Sequence, residues 1–306
     1  MKNNIMIGTW AWGAGLNGSK MVFGKKYNEA ELMEAFNTSV KLDFLNWDTA
    51  AVYGMGSCEK LLGRLISGKD DVFISTKYFP HRKFKSGALE SSFNESMKRL
   101  RRKSAELFWI HKPNNLLENL NEAAPLMKDG RIKSLGISNV SLENIKQAEK
   151  FLSKKGLKLG AVQNHFSLLR NDQQPIIDYC NQNGIKYYAY MVLEQGALAG
   201  RYNAQHHFPT FSMRNFTFPK SKFRKIEGLL STMEDMAEKY NIDKSQIPIL
   251  WAIAKGAIPI VGITKPTYAQ KLSNALKVSL SDDEIDRLTE EARKTGIRQQ
   301  GSWEPQ

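Results

Sequence analysis

The sequence predicts an α/β protein, a (β/α)8 barrel of parallel strands with extra helices at its C-terminal end. Eight short apolar runs, beginning near residues 5, 44, 72, 106, 132, 159, 185 and 258, carry the prediction, because each but the seventh is followed promptly by a segment of helical period. Strands buried on both faces and separated by helices belong in a parallel sheet, and eight such units close on themselves. The alternative, an open doubly wound sheet, lacks its Gly-rich dinucleotide fingerprint here. At 306 residues and 42% hydrophobic content the chain can fill one barrel with additions, so residues 1–306 read as a single domain.

In order, Ile5-Met6-Ile7-Gly8 is a strand, followed by Thr9-Trp10-Ala11-Trp12-Gly13 and a loop rich in Gly and Asn. Residues 28–42 are helical, with Leu32, Ala35, Phe36 and Val40 on one side. Phe44-Leu45-Asn46-Trp47 ends a second strand, and 59–66 continue as helix. Val72-Phe73-Ile74-Ser75-Thr76-Lys77 is a strand that ends in a lysine, with helix over 87–100. Glu106-Leu107-Phe108-Trp109-Ile110-His111 repeats the pattern with a histidine at its end. Helix follows over 115–127, strand over 132–137, helix over 141–152 opened by Ser141, and strand over 159–163. Residues 172–182 give a helix that Gly184 ends, and Ile185-Lys186-Tyr187-Tyr188-Ala189-Tyr190 a strand. The stretch 200–221 breaks the alternation. It is long and aromatic, with Phe208, Phe211, Phe216 and Phe218, and reads as a lid or binding segment over the pocket, a role Trp303 could share. Helices over 223–239 and 244–255, strand over 258–262, and helices over 267–276 and 281–294 complete the chain.

The formal charge is +13, from 44 Lys and Arg against 31 Asp and Glu, which suits an anionic partner. The basic residues are dispersed, and the one dense cluster, 98–103, follows Leu89, Phe93, Met97 and Leu100 at helical spacing. It therefore reads as a solvated helix face, and nucleic acid is not an expected partner. Cys58 and Cys180 are the only cysteines, so neither a disulfide framework nor a metal site is suggested. No apolar leader and no run of about 18 apolar residues is present, so no membrane partner is expected and a cytoplasmic location is.

Reactive residues of such a barrel gather at the carboxyl ends of its strands. Asp48, Tyr53, Lys77 and His111 all fall there, on strands two, three and four. Together they describe a proton donor. A phenol titrates at about pH 10, and a neighbouring ammonium stabilises its anion. Lys77 beside Tyr53 would do this, Asp48 would keep the lysine charged and fixed, and His111 could hydrogen-bond a carbonyl oxygen. Tyr53 would then protonate that oxygen as a hydride reaches the carbon.

Asp48-Thr49-Ala50-x-x-Tyr53-Gly54, Ser75-Thr76-Lys77 and Ile110-His111-x-Pro113 resemble, in order and spacing, the catalytic tetrad of the aldo-keto reductase family, whose fold is the (β/α)8 TIM barrel. Gly130-Arg131-Ile132-Lys133-x-x-Gly136-Ile137-Ser138-Asn139 is similar to the family's fifth-strand signature, and Gln163-x-x-Phe166-Ser167-Leu168-Leu169 to its sixth. The resemblance runs from Gly8 to about residue 275. It implies a reduced nicotinamide nucleotide across the barrel mouth, with Gly8, Thr9, Trp10 and Asp48 beside it. It also implies that Ser138, Asn139 and Gln163 hold the carboxamide while Tyr190 stacks on the ring. Met191-Val192-Leu193-Glu194-Gln195-Gly196 stands where the family carries a Tyr-Ser-Pro-Leu type loop over the pyrophosphate, leaving Leu193 and Gly196 as its contacts. Thr264 and Lys265 align with positions that grip the adenosine phosphate. A lysine there favours NADPH, with NADH as the alternative. Trp10, Trp12, Tyr53, Tyr78, Trp109 and His111 are the implied substrate contacts.

The sequence therefore reads as an NADPH-dependent reductase of a small aldehyde or ketone, a monomer or weak homo-oligomer. Two other readings stand beside it: a cofactor-occupied sensor on the same fold, and a Schiff-base aldolase using Lys77.

Overall fold

The computed structural model describes residues 4–15, 18–208, 212 and 214–300. Eight strands form one closed barrel in sequence order, every neighbouring pair parallel, with β1 closing against β8. They are β1 (Met6–Gly8), β2 (Asn46–Asp48), β3 (Phe73–Tyr78), β4 (Leu107–Ile110), β5 (Leu135–Ser138), β6 (Ala161–His165), β7 (Lys186–Tyr190) and β8 (Ile258–Gly262). Helices lie between them: α1 (Ser19–Phe23) and α2 (Glu29–Lys41), then α3 (Ser57–Leu65), α4 (Ala88–Leu100), α5 (Leu116–Lys128), α6 (Leu142–Ser153) and α7 (Gln174–Gln182). Between β7 and β8 come α8 (Arg214–Thr217), α9 (Lys220–Lys225), α10 (Glu227–Tyr240) and α11 (Ile247–Ala254), and α12 (Pro266–Ala275) and α13 (Asp282–Lys294) follow β8. The expected (β/α)8 TIM barrel with C-terminal helices is the fold.

Alternation along each strand divides the apolar residues into two cores. One parity, including Ile7, Trp47, Ile74, Phe108, Ile137, Val162 and Tyr187, packs outward against helix residues such as Phe36, Phe93, Leu120 and Ile145. The other parity fills the barrel axis with Met6, Leu107, Trp109, Ala161 and Tyr188. Gly136 is glycine for this reason: a Cβ there would overlap the Trp109 ring. The helices begin where side chains satisfy their first amides. Asn28 caps α2, and Ser141 and Ser281 form reciprocal capping boxes with Asn144 and Glu284 at α6 and α13.

Element boundaries moved where backbone pairing overrode composition. The fifth strand starts at Leu135 rather than residue 132, because Ile132 makes only an isolated bridge to Ala105. The helix expected over 223–239 breaks at Ile226 into α9 and α10, and α1 occupies what reads as loop. No helix among the described residues is long and apolar enough to cross a membrane.

Candidate active site

The axis-facing parity also builds the site. On β3 it presents Ser75 and, one step nearer the mouth, Lys77; on β2 it ends at Asp48; on β4 it passes through Trp109 to His111 just past the strand. Lys77 is ion-paired to Asp48 and donates to the Thr49 carbonyl at 2.9 Å. The second Asp48 oxygen accepts from the Ser75 hydroxyl at 2.7 Å, and Ser75 Oγ accepts from the Trp109 indole N–H at 2.6 Å. Tyr53 enters from a short 3-10 turn, Tyr53–Gly56. Its ring centre lies 5.2 Å from the Lys77 ammonium and 6.2 Å from the His111 ring, which meets it edge-on. The four side chains read from the sequence as one device thus converge.

Their electrostatics differ from the sequence reading in one respect. The Tyr53 phenol titrates well above its usual value, first because it is buried and second because Asp48 is near. Among the described residues Lys77 gives its hydrogen bonds to Asp48 and Thr49, and the Asp48 carboxylate opposes the ammonium's effect on the phenol. The ammonium itself is pulled down by desolvation, with Asp48 opposing. His111 is held well below the usual imidazole range by burial and then by the charges of Lys77 and Lys112. It is neutral at pH 7, one ring nitrogen a donor. A second buried carboxylate, Glu59, accepts from Thr76 at 2.5 Å and from Arg99 at 2.6 Å, bracing β3 from outside.

A cavity of about 250 Å³ opens at the carboxyl ends of the strands. Of the residues proposed from the sequence, Gly8, Trp10, Asp48, Tyr53, His111, Asn139, Gln163, Tyr190, Leu193, Gly196 and Thr264 line it. Others lie behind the wall. Thr9 donates to the Asp48 carbonyl at 3.0 Å, and Ser138 to the Gln163 carbonyl at 2.8 Å. Lys265 is exposed and stands just before α12, where its side chain makes no capping hydrogen bond. Lys77 is fully buried and absent from the lining, which removes the open approach a Schiff-base nucleophile needs.

Three expected substrate contacts face elsewhere. Tyr78 has the opposite parity to Lys77 and packs in the outer core towards Glu122. Trp109 is two residues below His111 and forms the floor of the site, linked to Asp48 through Ser75. Trp12 packs on Trp47 and donates to the Ile263 carbonyl at 2.8 Å. The aromatic residues that do stand at the site were partly missed: Phe23 and Tyr27 line the cavity, and Phe79 sits edge-on to His111.

The 200–221 stretch contributes in an unexpected way. Phe208 and Phe218 turn inward onto Phe223, while Phe216 is exposed; Phe211 and Trp303 lie outside the described residues. Arg214 is what reaches the cavity wall, donating to the Phe23 carbonyl at 2.6 Å and the Gln195 carbonyl at 3.1 Å. It joins two sides of the cavity. Beneath the loop after β7, Glu194 is fully buried, contacting His165 Nε2 at 2.7 Å and accepting from Ser167. This anchors a turn in which Met191, Glu194 and Gln195 all have positive φ.

The family model for the Aldo/keto reductase family matches residues 4–293, and the chain belongs to that family. The chain is 27% identical over 298 residues to an uncharacterized oxidoreductase of Mycobacterium tuberculosis, covering 95% of this chain and 90% of that one. It is 28% identical over 316 residues to the chloroplastic pyridoxal reductase of Arabidopsis thaliana, covering 94% and 83%. Among solved structures it is similar to a glycerol dehydrogenase of Gluconobacter oxydans, with a TM-score of 0.80, 23% identity and coverage of 95% and 92%. An aldo-keto reductase of Klebsiella pneumoniae in complex with NADPH superposes with a TM-score of 0.74 at 20% identity, covering 99% and 94%.

Proposed function

We propose that the chain is an NADPH-dependent reductase that converts an aldehyde or ketone to an alcohol, with Tyr53 as the proton donor. The observation that carries the reading is the convergence of Tyr53, Lys77, Asp48 and His111 at a cavity whose remaining wall suits a nicotinamide nucleotide. Gln163 Nε2 is buried in that wall with no hydrogen-bond partner among the described residues, as a donor awaiting a carboxamide oxygen would be. Asn139, held by Tyr190 at 2.6 Å, stands beside it. The Tyr190 ring presents a stacking face, and Gly8, Gly196 and Gly262 offer bare backbone. Thr264 and Lys265, at the start of α12, supply a hydroxyl, an ammonium and a helix N-terminus for a phosphate, which favours NADPH over NADH.

Bound there, the reduced nicotinamide would supply a hydride to the carbonyl carbon. The protein's own groups do the rest. Neutral His111 donates a hydrogen bond to the carbonyl oxygen and orients it. Tyr53 gives that oxygen its proton, and the resulting phenolate lies near an ammonium that Asp48, Ser75 and Trp109 hold in place. The aromatic wall keeps water from the exchange. Fluorescence titration with NADPH and NADH, followed by a panel of aldehydes and ketones, tests the reading. Saturable NADPH binding with carbonyl-dependent consumption supports it, whereas binding without consumption of any carbonyl favours the sensor.

A further inference from the structure

The strand that carries Lys77 is held from outside the barrel as well as from within. Thr76, the residue before Lys77 on β3, has the opposite parity and turns away from the axis, where its hydroxyl donates to Glu59 at 2.5 Å. Glu59 is 0% exposed and accepts at its other oxygen from Arg99 Nε at 2.6 Å. It stands in the first turn of α3, the helix that begins as the Tyr53–Gly56 turn ends. Glu59 therefore ties the segment that carries the phenol to the strand that carries the ammonium. An amide at this position would satisfy the same two donors, so the hydrogen bonds alone do not require a charge. Arg99 compensates that charge in part, being itself 20% exposed and shared with the Ser96 hydroxyl. Desolvation favours the neutral amine at Lys77, and Asp48 from β2, then Glu59 from α3, oppose it. The Cys58 thiol, pushed up to about 12 chiefly by burial, is neutral at pH 7. The other ionisable groups of the site are Tyr53, His111 with Lys112 beyond it, and Tyr188 and Tyr190 from β7; burial keeps Tyr53, His111 and Tyr188 neutral at pH 7.

Resting on the reductase reading, we infer that Glu59 is a positioning residue for the proton donor: its carboxylate is the second negative charge, after Asp48, that holds Lys77 as an ammonium beside Tyr53. It touches neither the cavity nor Lys77 directly. It acts through Thr76, which fixes the strand, and through its field, which the dry interior leaves largely unscreened.

The charge of Lys77 can be followed in the protein without cofactor, by NMR titration of isotope-labelled lysine Cε nuclei, with the Lys77 signal identified by its absence from Lys77→Arg. Glu59→Gln keeps an acceptor for Thr76 and Arg99 and removes the charge, so the Lys77 midpoint should fall by about one pH unit. Thr76→Val keeps the charge and removes the hydrogen bond, and should leave the midpoint in place. Arg99→Met removes a positive charge and should raise it, which keeps the inference testable if Glu59→Gln does not fold. The basic limb of kcat for carbonyl reduction should move in the same order. An unmoved midpoint in Glu59→Gln, a fall in Arg99→Met, or a fall in Thr76→Val as large as that in Glu59→Gln makes Glu59 a structural brace; each overturns the inference and leaves the reductase reading intact. A wild type that consumes NADPH with no carbonyl of a wide panel overturns the reductase reading, and the positioning role with it, whatever the midpoints.

Discussion

The Lys77–Asp48 pair is the feature whose energetics are most open to test. Both side chains are buried, at 0% and 3% exposure, and the pair is hydrogen-bonded on both sides, to Thr49 and to Ser75. Replacing Lys77 by Met leaves a buried carboxylate with the Ser75 hydroxyl; replacing Asp48 by Asn leaves a buried ammonium with neutral carbonyl acceptors and no counter-charge. Each single change should cost about 3–5 kcal/mol, because an uncompensated charge remains in low dielectric. The double variant Asp48→Asn/Lys77→Met removes both charges while keeping similar volumes, and should range from neutral to about 1–4 kcal/mol more stable than the wild type. At roughly 2 °C per kcal/mol for a chain of this size, the single variants should melt about 6–10 °C lower. Urea unfolding of the four proteins, followed by tryptophan fluorescence, gives the coupling energy directly. The double variant should be stable and severely impaired in turnover. Single variants within about 1 kcal/mol of the wild type, or a double variant that merely sums two losses, would refute the claim that the pair is a desolvated unit retained for chemistry.

The neutral state of His111 predicts a pH dependence. Its folded pKa lies below that of the unfolded chain, so as pH falls through about 6.5 the unfolded state binds the proton first and stability declines. The slope should be up to about 1.4 kcal/mol per pH unit for this group, and His111→Gln should remove that component in urea titrations at stepped pH. Gly136→Ala should cost about 1–3 kcal/mol by driving Trp109 off its rotamer, with a fall in kcat as the Ser75 hydroxyl loses its donor. A variant as stable and active as the wild type would remove Trp109 from the account.

Much of the architecture was legible because two periods, of 2 and 3.6, alternate eight times, and a parallel barrel is the arrangement that buries both. The convergence of Asp48, Tyr53, Lys77 and His111 was legible because all four stand at or just past the carboxyl ends of strands. Tyr78 could have been placed correctly from parity alone, since neighbours on a strand face opposite sides. Trp109 shares the parity of His111 but stands one layer deeper, and depth is not written in a pattern of two. Phe23, Tyr27 and Arg214 had no comparable signal. Phe23 and Tyr27 reach the cavity from a short helix and the loop after it, and Arg214 braces its wall from a long connection, a course set by tertiary contacts such as those of Arg214 with two backbone carbonyls far apart in the chain. The depressing effect expected of Lys77 on Tyr53 failed first because the phenol is buried and second because Asp48 acts on it with the opposite sign.

Single-turnover oxidation of bound NADPH by an aldehyde, compared between the wild type and Tyr53→Phe, bears most directly on the proton-donor assignment. Loss of the acid should slow the step by about 100- to 10,000-fold while NADPH still binds with near wild-type affinity. A Tyr53→Phe enzyme that reduces the aldehyde at the wild-type rate would contradict it.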